Sequence, residues 1–342
     1  VPPGFAVTLY ADGVANARPL AWRARGTLFV GSFAAGKVYA LRDDNHDGRA
    51  DSVRVIASGL RVPLGVAFRD GALYVSAIDR ILRYDAIESK LEAPPPPVVV
   101  ANDLPRDAHH GGRYLAFGPD GKLYVPIGAP CNVCDRPGYA KLTRMAVGGQ
   151  GRGGVREDVA LGIRNTVGFA WNPQTRHLWF TDNGRDMLGD DVPGDELNVV
   201  TGPKQHFGFP YCHQGDVLDP DFGKGKSCRD YTPPAAKLGA HVASLGIAFY
   251  TGTMFPAAYR NNAFIAEHGS WNRSSKSGYR VVRVEIDGDR VSRITPFLTG
   301  FLDGQDTLGR PVAVTVAPDG ALLVSDDFQG AIYRIAYGGG SR

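Results

Sequence analysis

Four short polar motifs of this chain place imidazole, guanidinium and amide side chains next to apolar, strand-like stretches. They are His109–Arg113 (His-His-Gly-Gly-Arg), Gly162–Asn165 (Gly-Ile-Arg-Asn), Glu267–Arg273 (Glu-His-Gly-Ser-Trp-Asn-Arg) and Gly309–Pro311 (Gly-Arg-Pro). A neutral imidazole can accept a proton at about pH 7. A guanidinium group is a permanent, forked donor that matches carboxylates and polarised carbonyls. These types indicate proton transfer beside a binding site for an anionic group, although each motif taken singly also suits a structural role.

Two acidic stretches contain the oxygen-bearing side chains that Ca²⁺ prefers, with roughly six to eight ligands. In the first, Asp43, Asn45, Asp47 and Asp51 alternate around a glycine, a spacing that resembles a calcium loop without its final glutamate. The second runs from 181 to 196 and includes the central strand's last residue and an acidic loop. Both also suit a solvated turn rich in Asp and Gly. We predict a structural calcium in the first stretch, and either calcium or a solvated loop in the second.

The polar motifs lie at the edges of a strand–turn–strand sequence repeat that occurs six times. Its central strands are Gly26–Gly31, Gly71–Ser76, Gly121–Pro126, Arg176–Thr181, Asn262–Glu267 and Gly320–Ser325. Most copies follow a second apolar segment, such as Val66–Phe68, and several precede a third. A unit that recurs about every 45 to 60 residues and cannot bury its own faces predicts a β-propeller. We therefore predict an all-β fold: a single six-bladed β-propeller of four-stranded antiparallel blades over residues 1–342.

In a propeller, chemistry is expected in the loops over one mouth of the central channel, because the regular strands form the scaffold. Arg164, Arg273 and Arg310 then occupy similar positions in three blades, all at one mouth. Such a cluster of cations, without phosphate-binding machinery, predicts a small ligand that carries several negative charges. His109 precedes a strand-like segment and can point into the same mouth.

Composition gives no indication of a nucleic-acid or membrane partner. The formal net charge is +3 and the 38 Lys and Arg residues are scattered, unlike the clustered cations of nucleic-acid-binding proteins. No apolar stretch approaches the roughly 20 residues needed to cross a bilayer. The chain begins Val-Pro-Pro, without Met or a signal sequence, which fits a mature exported protein. We expect a periplasmic or secreted location.

The four cysteines are an even number in a Gly- and Pro-rich β protein, which favours two disulfides and an oxidising compartment. Of the three possible pairings, Cys131–Cys134 with Cys212–Cys228 is the most local. The alternative is a zinc site with four thiolates. The single tight Cys-x-x-Cys pair disfavours it.

In combination, the motifs resemble the soluble quinoprotein sugar dehydrogenases, which depend on pyrroloquinoline quinone (PQQ) and oxidise glucose, other aldoses or sorbosone. The matching segments are His109–Arg113, Phe117–Tyr124, Gly162–Asn165, Thr181–Gly184, Asp195–Asn198, His268–Arg273 and Gly309–Pro311. They occur in order along nearly the whole chain. The resemblance is closest to the sorbosone and pyranose dehydrogenase branch, mainly through His268–Arg273 and Cys131–Cys134.

The resemblance implies a six-bladed propeller with PQQ and Ca²⁺ at the channel mouth. It implies that His109 is the catalytic base, because it stands four places before Arg113, and that Arg164 is catalytic and binds the quinone. The other implied cofactor contacts are Asn165, Asn183, Trp271, Arg273, Arg310 and Asp327. The implied calcium ligands are backbone carbonyls around Gly184 and Arg185 and, at a second position, Glu196 and the carbonyl of Phe207. Val312 stands where glucose-oxidising members have a second Arg, so the sugar preference is open.

The implied reaction is oxidation of the anomeric hydroxyl of an aldose or pyranose to a lactone. Hydride passes to the quinone, and the electrons pass to an external acceptor, a quinone or a cytochrome. Two other classes stay open at this level. A calcium-dependent six-bladed lactonase would need a metal held directly by Glu, Asn and Asp, and a non-catalytic binding module would leave the convergent arginines without a role.

Overall fold

The computed structural model describes residues 1–22, 26–148 and 153–338. Six antiparallel sheets form a ring of blades, so the predicted all-β, six-bladed propeller is confirmed. The prediction that residues 1–342 form one domain includes 23–25, 149–152 and 339–342, which lie outside the described residues, and it stays a prediction. No helix in the described part of the chain is long and apolar enough to pass through a membrane.

Each blade has four antiparallel strands, of which the first lies at the central channel and the fourth at the outer edge of the ring. Blade 1 consists of Ala17–Trp22, Thr27–Ser32, Val38–Arg42 and Ser52–Ala57, and blade 2 of Val66–Arg69, Ala72–Ala77, Arg80–Tyr84 and Val98–Ala101. Blade 3 consists of Ala116–Phe117, Leu123–Ile127, Lys141–Met145 and Glu157–Leu161, and blade 4 of Phe169–Trp171, Leu178–Asp182, Gly194–Val200 and Ala236–Ala240. Blade 5 consists of Ser244–Phe249, Ala263–Glu267, Arg280–Asp287 and Arg290–Leu298. Blade 6 consists of Pro311–Val316, Leu322–Asp326, Ala331–Tyr337 and Phe5–Ala11.

Smaller elements are added to this ring. The strand Gln205–His206 pairs in parallel with the outer edge of blade 3. Two short ribbons are formed by Cys212–His213 with Val217–Leu218 and by Leu302–Asp303 with Asp306–Thr307. Three 3₁₀ helices span Ile87–Lys90, Cys228–Asp230 and Ala257–Tyr259.

The outer strand of blade 6 comes from the opposite end of the chain. Phe5–Ala11 pairs antiparallel with Ala331–Tyr337, with Phe5 opposite Tyr337 and Ala6 opposite Ala336. The first and last segments therefore lie in one sheet, which closes the ring and gives blade 6 its fourth strand.

Glycines of the repeat allow the inner strands of neighbouring blades to come close. A Cβ atom on Gly168 would lie 2.3 Å from the carbonyl oxygen of Leu245 in the next blade, and one on Gly246 would lie 2.7 Å from the Cα of Ala313. Only a residue without a side chain fits at these positions. This explains why a glycine stands before the first apolar segment in several copies.

Hydroxyl groups near the ends of the second strands form hydrogen bonds between neighbouring blades. Ser76 donates to the carbonyl oxygen of Arg113 at 2.7 Å, and Thr181 donates to that of Leu245 at 2.6 Å. In blade 6, Ser325 donates to the carbonyl oxygen of Arg18 in blade 1 at 2.9 Å. The Ser or Thr that ends several copies of the repeat therefore bonds each blade to its neighbour.

The strand directions assign each loop to one of two faces. Segments that precede a first strand or follow a second strand lie at the same end of the ring, which we call the mouth face. The hairpin that contains Asp43–Asp51 joins the third and fourth strands of blade 1 and lies at the opposite end.

Both cysteine pairs form disulfides, so the most local pairing is confirmed. Cys131 is bonded to Cys134 and Cys212 to Cys228, and no described cysteine is free. The four-thiolate zinc site considered from the sequence is therefore wrong. The first disulfide follows the second strand of blade 3 at the mouth face, and the second lies in the blade 4 insertion, which the strand Gln205–His206 leads back to that face.

Candidate active site

A cavity of about 300 Å³ opens on the mouth face. This volume is at the lower end of the range for small-molecule sites, which is roughly 300 to 1,000 Å³. The cavity is lined by His110, Arg164, Asn165, Asn183, Gly184, Asp186, Asp195, His241, Ala243, His268, Gly269, Trp271, Asn272 and Arg310. Six of the predicted site residues line it, from blades 4, 5 and 6: Arg164, Asn165, Asn183, Gly184, Trp271 and Arg310.

Two carboxylates hold the arginines at the start of their strands. Asp182 ends the second strand of blade 4 and accepts from the backbone N–H groups of Arg164, at 2.9 Å, and Asn165, at 2.6 Å. Asp326 ends the second strand of blade 6 and accepts from the backbone N–H of Arg310 at 3.0 Å. The same local device thus presents Arg164 and Arg310 to the cavity from different blades. The sequence signal for it is an Asp directly after the Ser or Thr of the repeat.

The guanidinium of Arg164 is almost fully engaged. Its Nε donates to the carbonyl oxygen of Asn132 at 2.8 Å, and its Nη2 donates to Oδ1 of Asn132 and to Oδ2 of Asp186, both at 2.9 Å. Its Nη1 donates to the carbonyl oxygen of Asn183 at 3.2 Å. Since a guanidinium has two N–H groups on Nη1, one of these remains for a ligand.

Arg310 is held by the loop that follows the second strand of blade 5. Its Nε donates to the carbonyl oxygen of His268 at 3.2 Å, and its Nη2 donates to that of Gly269 at 2.7 Å. The guanidinium carbon also lies 5.5 Å from the ring centre of Tyr279, a cation–π distance. Backbone carbonyls and an aromatic face orient this cation without neutralising it.

The two adjacent histidines differ in position. His110 lines the cavity, whereas His109 is exposed at its edge, with the two ring centres 4.0 Å apart. Nδ1 of His110 lies 2.8 Å from the carbonyl oxygen of Ala129. A carbonyl only accepts, so Nδ1 carries the proton and Nε2 is left as an acceptor. Burial, with the charge of Arg164, lowers the pKa of His110 to about 2 and also lowers the pKa of His109.

A second imidazole, His268, enters the cavity from blade 5. Its Nε2 lies 2.9 Å from Oδ1 of Asp327, and the other oxygen of Asp327 lies 2.6 Å from Nη2 of Arg18. Burial lowers the pKa of His268 to about 4 although Asp327 favours its charged form. Asp327, predicted as a cofactor contact, thus lies behind His268 and does not line the cavity.

Trp271 and Arg273 lie at the outer part of the mouth. Trp271 borders the cavity and is 67% exposed, so its ring face is open. Arg273 donates from Nε to the carbonyl oxygen of Asp190 and from Nη2 to Oδ1 of Asp191, both at 2.9 Å. Arg273 therefore bridges two loops and does not line the cavity, unlike the other two predicted arginines.

Three buried carboxyl groups lie together in blade 4. Burial raises the pKa of Asp182 to about 7, that of Asp195 to about 6 and that of Glu196 to about 8. Repulsion from neighbouring carboxylates adds to the upward shifts of Asp182 and Glu196. Glu196 accepts from the backbone N–H of Gln214 at 2.6 Å and from Nδ2 of Asn198 at 2.9 Å.

The implied second calcium position also includes Phe207. This residue packs in a separate apolar cluster, with its ring 4.9 Å from that of Phe180. Glu196 and Phe207 as calcium ligands stay a prediction.

The predicted calcium loop on the opposite face is closed by its own hydrogen bonds. Asp51 accepts from the backbone N–H of Asp44 at 2.7 Å, and Asp43 accepts from that of Gly48 at 2.9 Å. Asn45 donates from its amide to Asp51 at 3.1 Å. Within residues 1–22, 26–148 and 153–338, no three His, Cys, Asp or Glu side chains are grouped to hold one metal ion. Calcium here stays a prediction, and its position separates it from the cavity.

Two features of the cavity wall suit an anionic, oxygen-rich cofactor together with a cation. Both polar atoms of the Asn272 side-chain amide are buried without a hydrogen-bond partner in the described structure, which is costly unless a ligand completes them. Gly184 and Arg185 follow the second strand of blade 4, and no hydrogen bond among the described residues is directed at their carbonyl oxygens. With the cations of Arg164 and Arg310, these groups fit the carboxylates of PQQ and the oxygen ligands that a calcium ion would need.

Comparison with known proteins decides the family. The TrAA12-like family matches residues 1–338 of this chain. The chain belongs to the TrAA12-like family. An uncharacterized protein of Borreliella burgdorferi is 35% identical over 355 residues, which cover 98% of this chain and 90% of that protein.

Solved structures related to the TrAA12-like chain share its fold. A calcium structure of the Trichoderma reesei carbohydrate-active enzyme of family AA12 has a TM-score of 0.84 and 20% identity, over 98% of this chain and 96% of that one. The holo form of the PQQ domain of Coprinopsis cinerea pyranose dehydrogenase has a TM-score of 0.81 and 20% identity, with the same coverage. The family resemblance drawn from the motifs is therefore confirmed.

Proposed function

We propose that this protein is a PQQ- and calcium-dependent sugar dehydrogenase that oxidises the anomeric hydroxyl of an aldose or pyranose to the lactone. The observation that carries the proposal is the cavity in which two arginines, acceptor imidazoles and unpaired amide atoms converge at the mouth. Membership of the TrAA12-like family supports the same activity. The matched Coprinopsis cinerea domain is a PQQ domain of a pyranose dehydrogenase.

Residues of the cavity divide into those that would hold the cofactor and those that would act on the sugar. Arg164, Arg310, Asn165, Asn183 and Asn272 would bind the carboxylates and carbonyls of PQQ, and the carbonyl of Gly184 would bind Ca²⁺. Bound PQQ with Ca²⁺ would supply the acceptor of the hydride, which carries both electrons of the oxidation. The open face of Trp271 would stack against the sugar ring at the cavity entrance.

A neutral imidazole would take the proton from the anomeric hydroxyl as the C1 hydrogen leaves as hydride. The resemblance of the His109–Arg113 motif to the quinoprotein family implies this role for His109, and His109 as the base stays a prediction. His110 is the second candidate: it lines the cavity and its Nε2 has no partner among the described residues, but its pKa of about 2 makes it a weak base. The remaining Nη1–H of Arg164 would donate to an oxygen that gains negative charge during the reaction.

The activity can be tested by adding PQQ and Ca²⁺ to the purified protein and following dye reduction with a panel of aldoses. We expect saturable PQQ binding by titration calorimetry and aldose-dependent reduction of the dye. Absence of PQQ binding would overturn the proposal. The lactone is checked by identifying the product before it hydrolyses.

The two histidines can be separated by comparing His110→Ala with His109→Ala. If His110 is the base, its replacement lowers kcat by about 10² to 10⁴-fold while the PQQ dissociation constant changes little. His109→Ala, the matched neighbour, then retains kcat within about tenfold. The opposite ranking of the two variants would return the role to His109.

Two further parts of the proposal concern its surroundings. The two disulfides suit an oxidising compartment, and we propose a periplasmic or secreted location with an external quinone or cytochrome as electron acceptor.

A calcium-dependent lactonase is less well supported, because the two guanidinium groups that line the cavity disfavour a metal ion held by protein side chains alone. A non-catalytic binding module would leave the convergent cations unexplained.

A further inference from the structure

The turn closed by the Cys131–Cys134 disulfide accepts hydrogen bonds from one edge of the Arg164 guanidinium. Asn132, inside this turn, accepts from Nε of Arg164 with its backbone oxygen at 2.8 Å and from Nη2 with its side-chain oxygen at 2.9 Å. A single residue therefore binds both donors on the Nε–Nη2 edge. This pairing directs Nη1 away from Asn132, and Nη1 carries the N–H that has no partner among the described residues.

Asn132 also ties two blades together at this point. Its Oδ1 accepts from the backbone N–H of Asp186 at 2.8 Å, and its Nδ2 donates to the carbonyl oxygen of Asp186 at 3.1 Å. The turn follows the second strand of blade 3, whereas Asp186 follows the second strand of blade 4. The side-chain amide is thus fixed through both of its ends, and its orientation is set by the same bonds that hold the loop of blade 4.

The ion pair with Asp186 does not explain the orientation of Arg164 by itself. Asp186 contacts only Nη2, at 2.9 Å, and a single-point contact allows the planar guanidinium to rotate about it. Contacts to Nε and Nη2 from one residue define the plane of the group, as bidentate pairing does in general. Asp186 therefore supplies charge, whereas Asn132 sets the plane of the guanidinium, helped by the contact of Nη1 with the carbonyl oxygen of Asn183 at 3.2 Å.

We propose that Asn132, held in the disulfide-closed turn Cys131–Cys134, is the positioning residue that aims Arg164 into the cavity. Its kinetic consequence rests on the proposed dehydrogenase function, whereas its structural consequence does not. An arginine that is misplaced by about 1 Å can cost on the order of 100-fold in rate. Asn132 does not line the cavity and needs no contact with sugar or cofactor.

The kinetic test compares Asn132→Ala with Asn172→Ala in the protein reconstituted with PQQ and Ca²⁺. Asn172 is a matched control, because its amide also donates to a backbone oxygen (Gly288, 2.7 Å) and accepts from a backbone N–H (Gln174, 2.9 Å), but at a blade 4 hairpin on the opposite face. We expect Asn132→Ala to lower kcat about 10- to 100-fold with a smaller change in the sugar KM. Asn172→Ala keeps both constants.

A double-variant cycle with Arg164→Ala shows whether Asn132 acts through Arg164. If it does, adding Asn132→Ala to Arg164→Ala causes no further loss in kcat or in PQQ affinity. Independent, multiplicative losses would overturn the proposal. The pair Cys131→Ser and Cys134→Ser should reproduce the effect of Asn132→Ala, and wild-type constants in that variant would show that the disulfide does not hold the turn.

A cofactor-free measurement keeps the proposal separate from the proposed function. In ¹⁵N-labelled protein without PQQ, the Nε–H of Arg164, assigned by its disappearance in Arg164→Lys, is expected to exchange slowly because it donates to Asn132. We expect at least tenfold faster exchange in Cys131→Ser/Cys134→Ser and in Asn132→Ala, and no change in Asn172→Ala. If PQQ fails to bind the wild type while this pattern holds, the dehydrogenase function is wrong and the positioning role stands. Equal exchange in all variants overturns the positioning role.

Discussion

Several carboxyl groups near the mouth face are buried. Glu267 shows it most clearly, because it ends the second strand of blade 5, where blades 2 and 4 have Ser76 and Thr181. Its side chain is fully buried, and one oxygen accepts from Nε of Arg280 at 2.6 Å while the other has no partner in the described structure. Burial raises the pKa of Glu267 to about 7, against the opposing effect of Arg280. Below neutral pH the group is therefore held largely as the neutral acid.

This shift makes stability depend on pH. Because the folded pKa of Glu267 is about 7 and the unfolded value is about 4.3, the folded state binds the extra proton between these values. Stability from this group is complete below about pH 4 and is lost as the pH rises toward 7, by up to about 1.4 kcal/mol per pH unit. We expect Glu267→Gln to flatten the fall in unfolding free energy between about pH 4.5 and 7, measured by urea denaturation. Parallel pH profiles for the two proteins would contradict this.

At the level of elements, the insertion between the third and fourth strands of blade 4 is organised around one buried carboxylate. Asp219 pairs with Arg185 and lies 2.8 Å from Nε2 of His213, and it accepts from the backbone N–H groups of Asp221 and Phe222 at 2.8 and 2.9 Å. The Cys212–Cys228 disulfide encloses the same segment. This hub, formed by Asp219 and its partners, holds the side chain of Arg185, whose backbone carbonyl was predicted as a calcium ligand. The insertion therefore supports the loop that follows the second strand of blade 4.

Removing the hub should destabilise the protein strongly. Asp219→Ala leaves Arg185 and His213 buried without their partner, which is expected to cost about 3 to 5 kcal/mol of unfolding free energy. Asp216→Ala is the matched control in the same insertion, because its carboxylate is exposed and pairs with Lys237 at 2.6 Å. That variant should lose less than about 1 kcal/mol. Similar losses in denaturant unfolding would show that Asp219 is not the anchor.

For the whole molecule, closure of the ring depends on the N-terminal strand. Phe5–Ala11 covers the edge of Ala331–Tyr337, and the ring of Phe5 contacts those of Phe255 and Phe297 at 4.7 and 5.1 Å between centres. The strand therefore pairs with blade 6 and packs against blade 5. Without it, blade 6 would present an unpaired edge, a known route to aggregation.

Deletion of residues 1–12 tests this closure against deletion of residues 1–3, which precede the strand. We expect the longer deletion to lower Tm by on the order of 10 °C, from the loss of a large, partly buried aromatic and one strand ladder, and to promote self-association. The shorter deletion should leave Tm within about 2 °C. Size-exclusion chromatography and thermal unfolding measure both effects, and equal behaviour of the two deletions would argue against ring closure by this strand.

The sequence by itself determined the six blades and six residues of the cavity wall, namely Arg164, Asn165, Asn183, Gly184, Trp271 and Arg310. The reason is that these features are local: each blade is one copy of the sequence repeat of apolar strands and tight turns, and the repeat assigns each loop to a face. Arg164, Asn165, Asn183 and Arg310 flank repeated strands, so their meeting at one mouth follows from the ring.

Only the tertiary structure decided which side chains enter the cavity. His109 and His110 are adjacent, and the positive φ of 48° at His110, together with its bond to Ala129, directs that ring inward. Arg273 meets Asp190 and Asp191, and Arg164 meets Asn132, through contacts between distant segments that no local pattern specifies. Side-chain direction depends on backbone conformation and on partners brought from other blades, and both exist only in the folded ring.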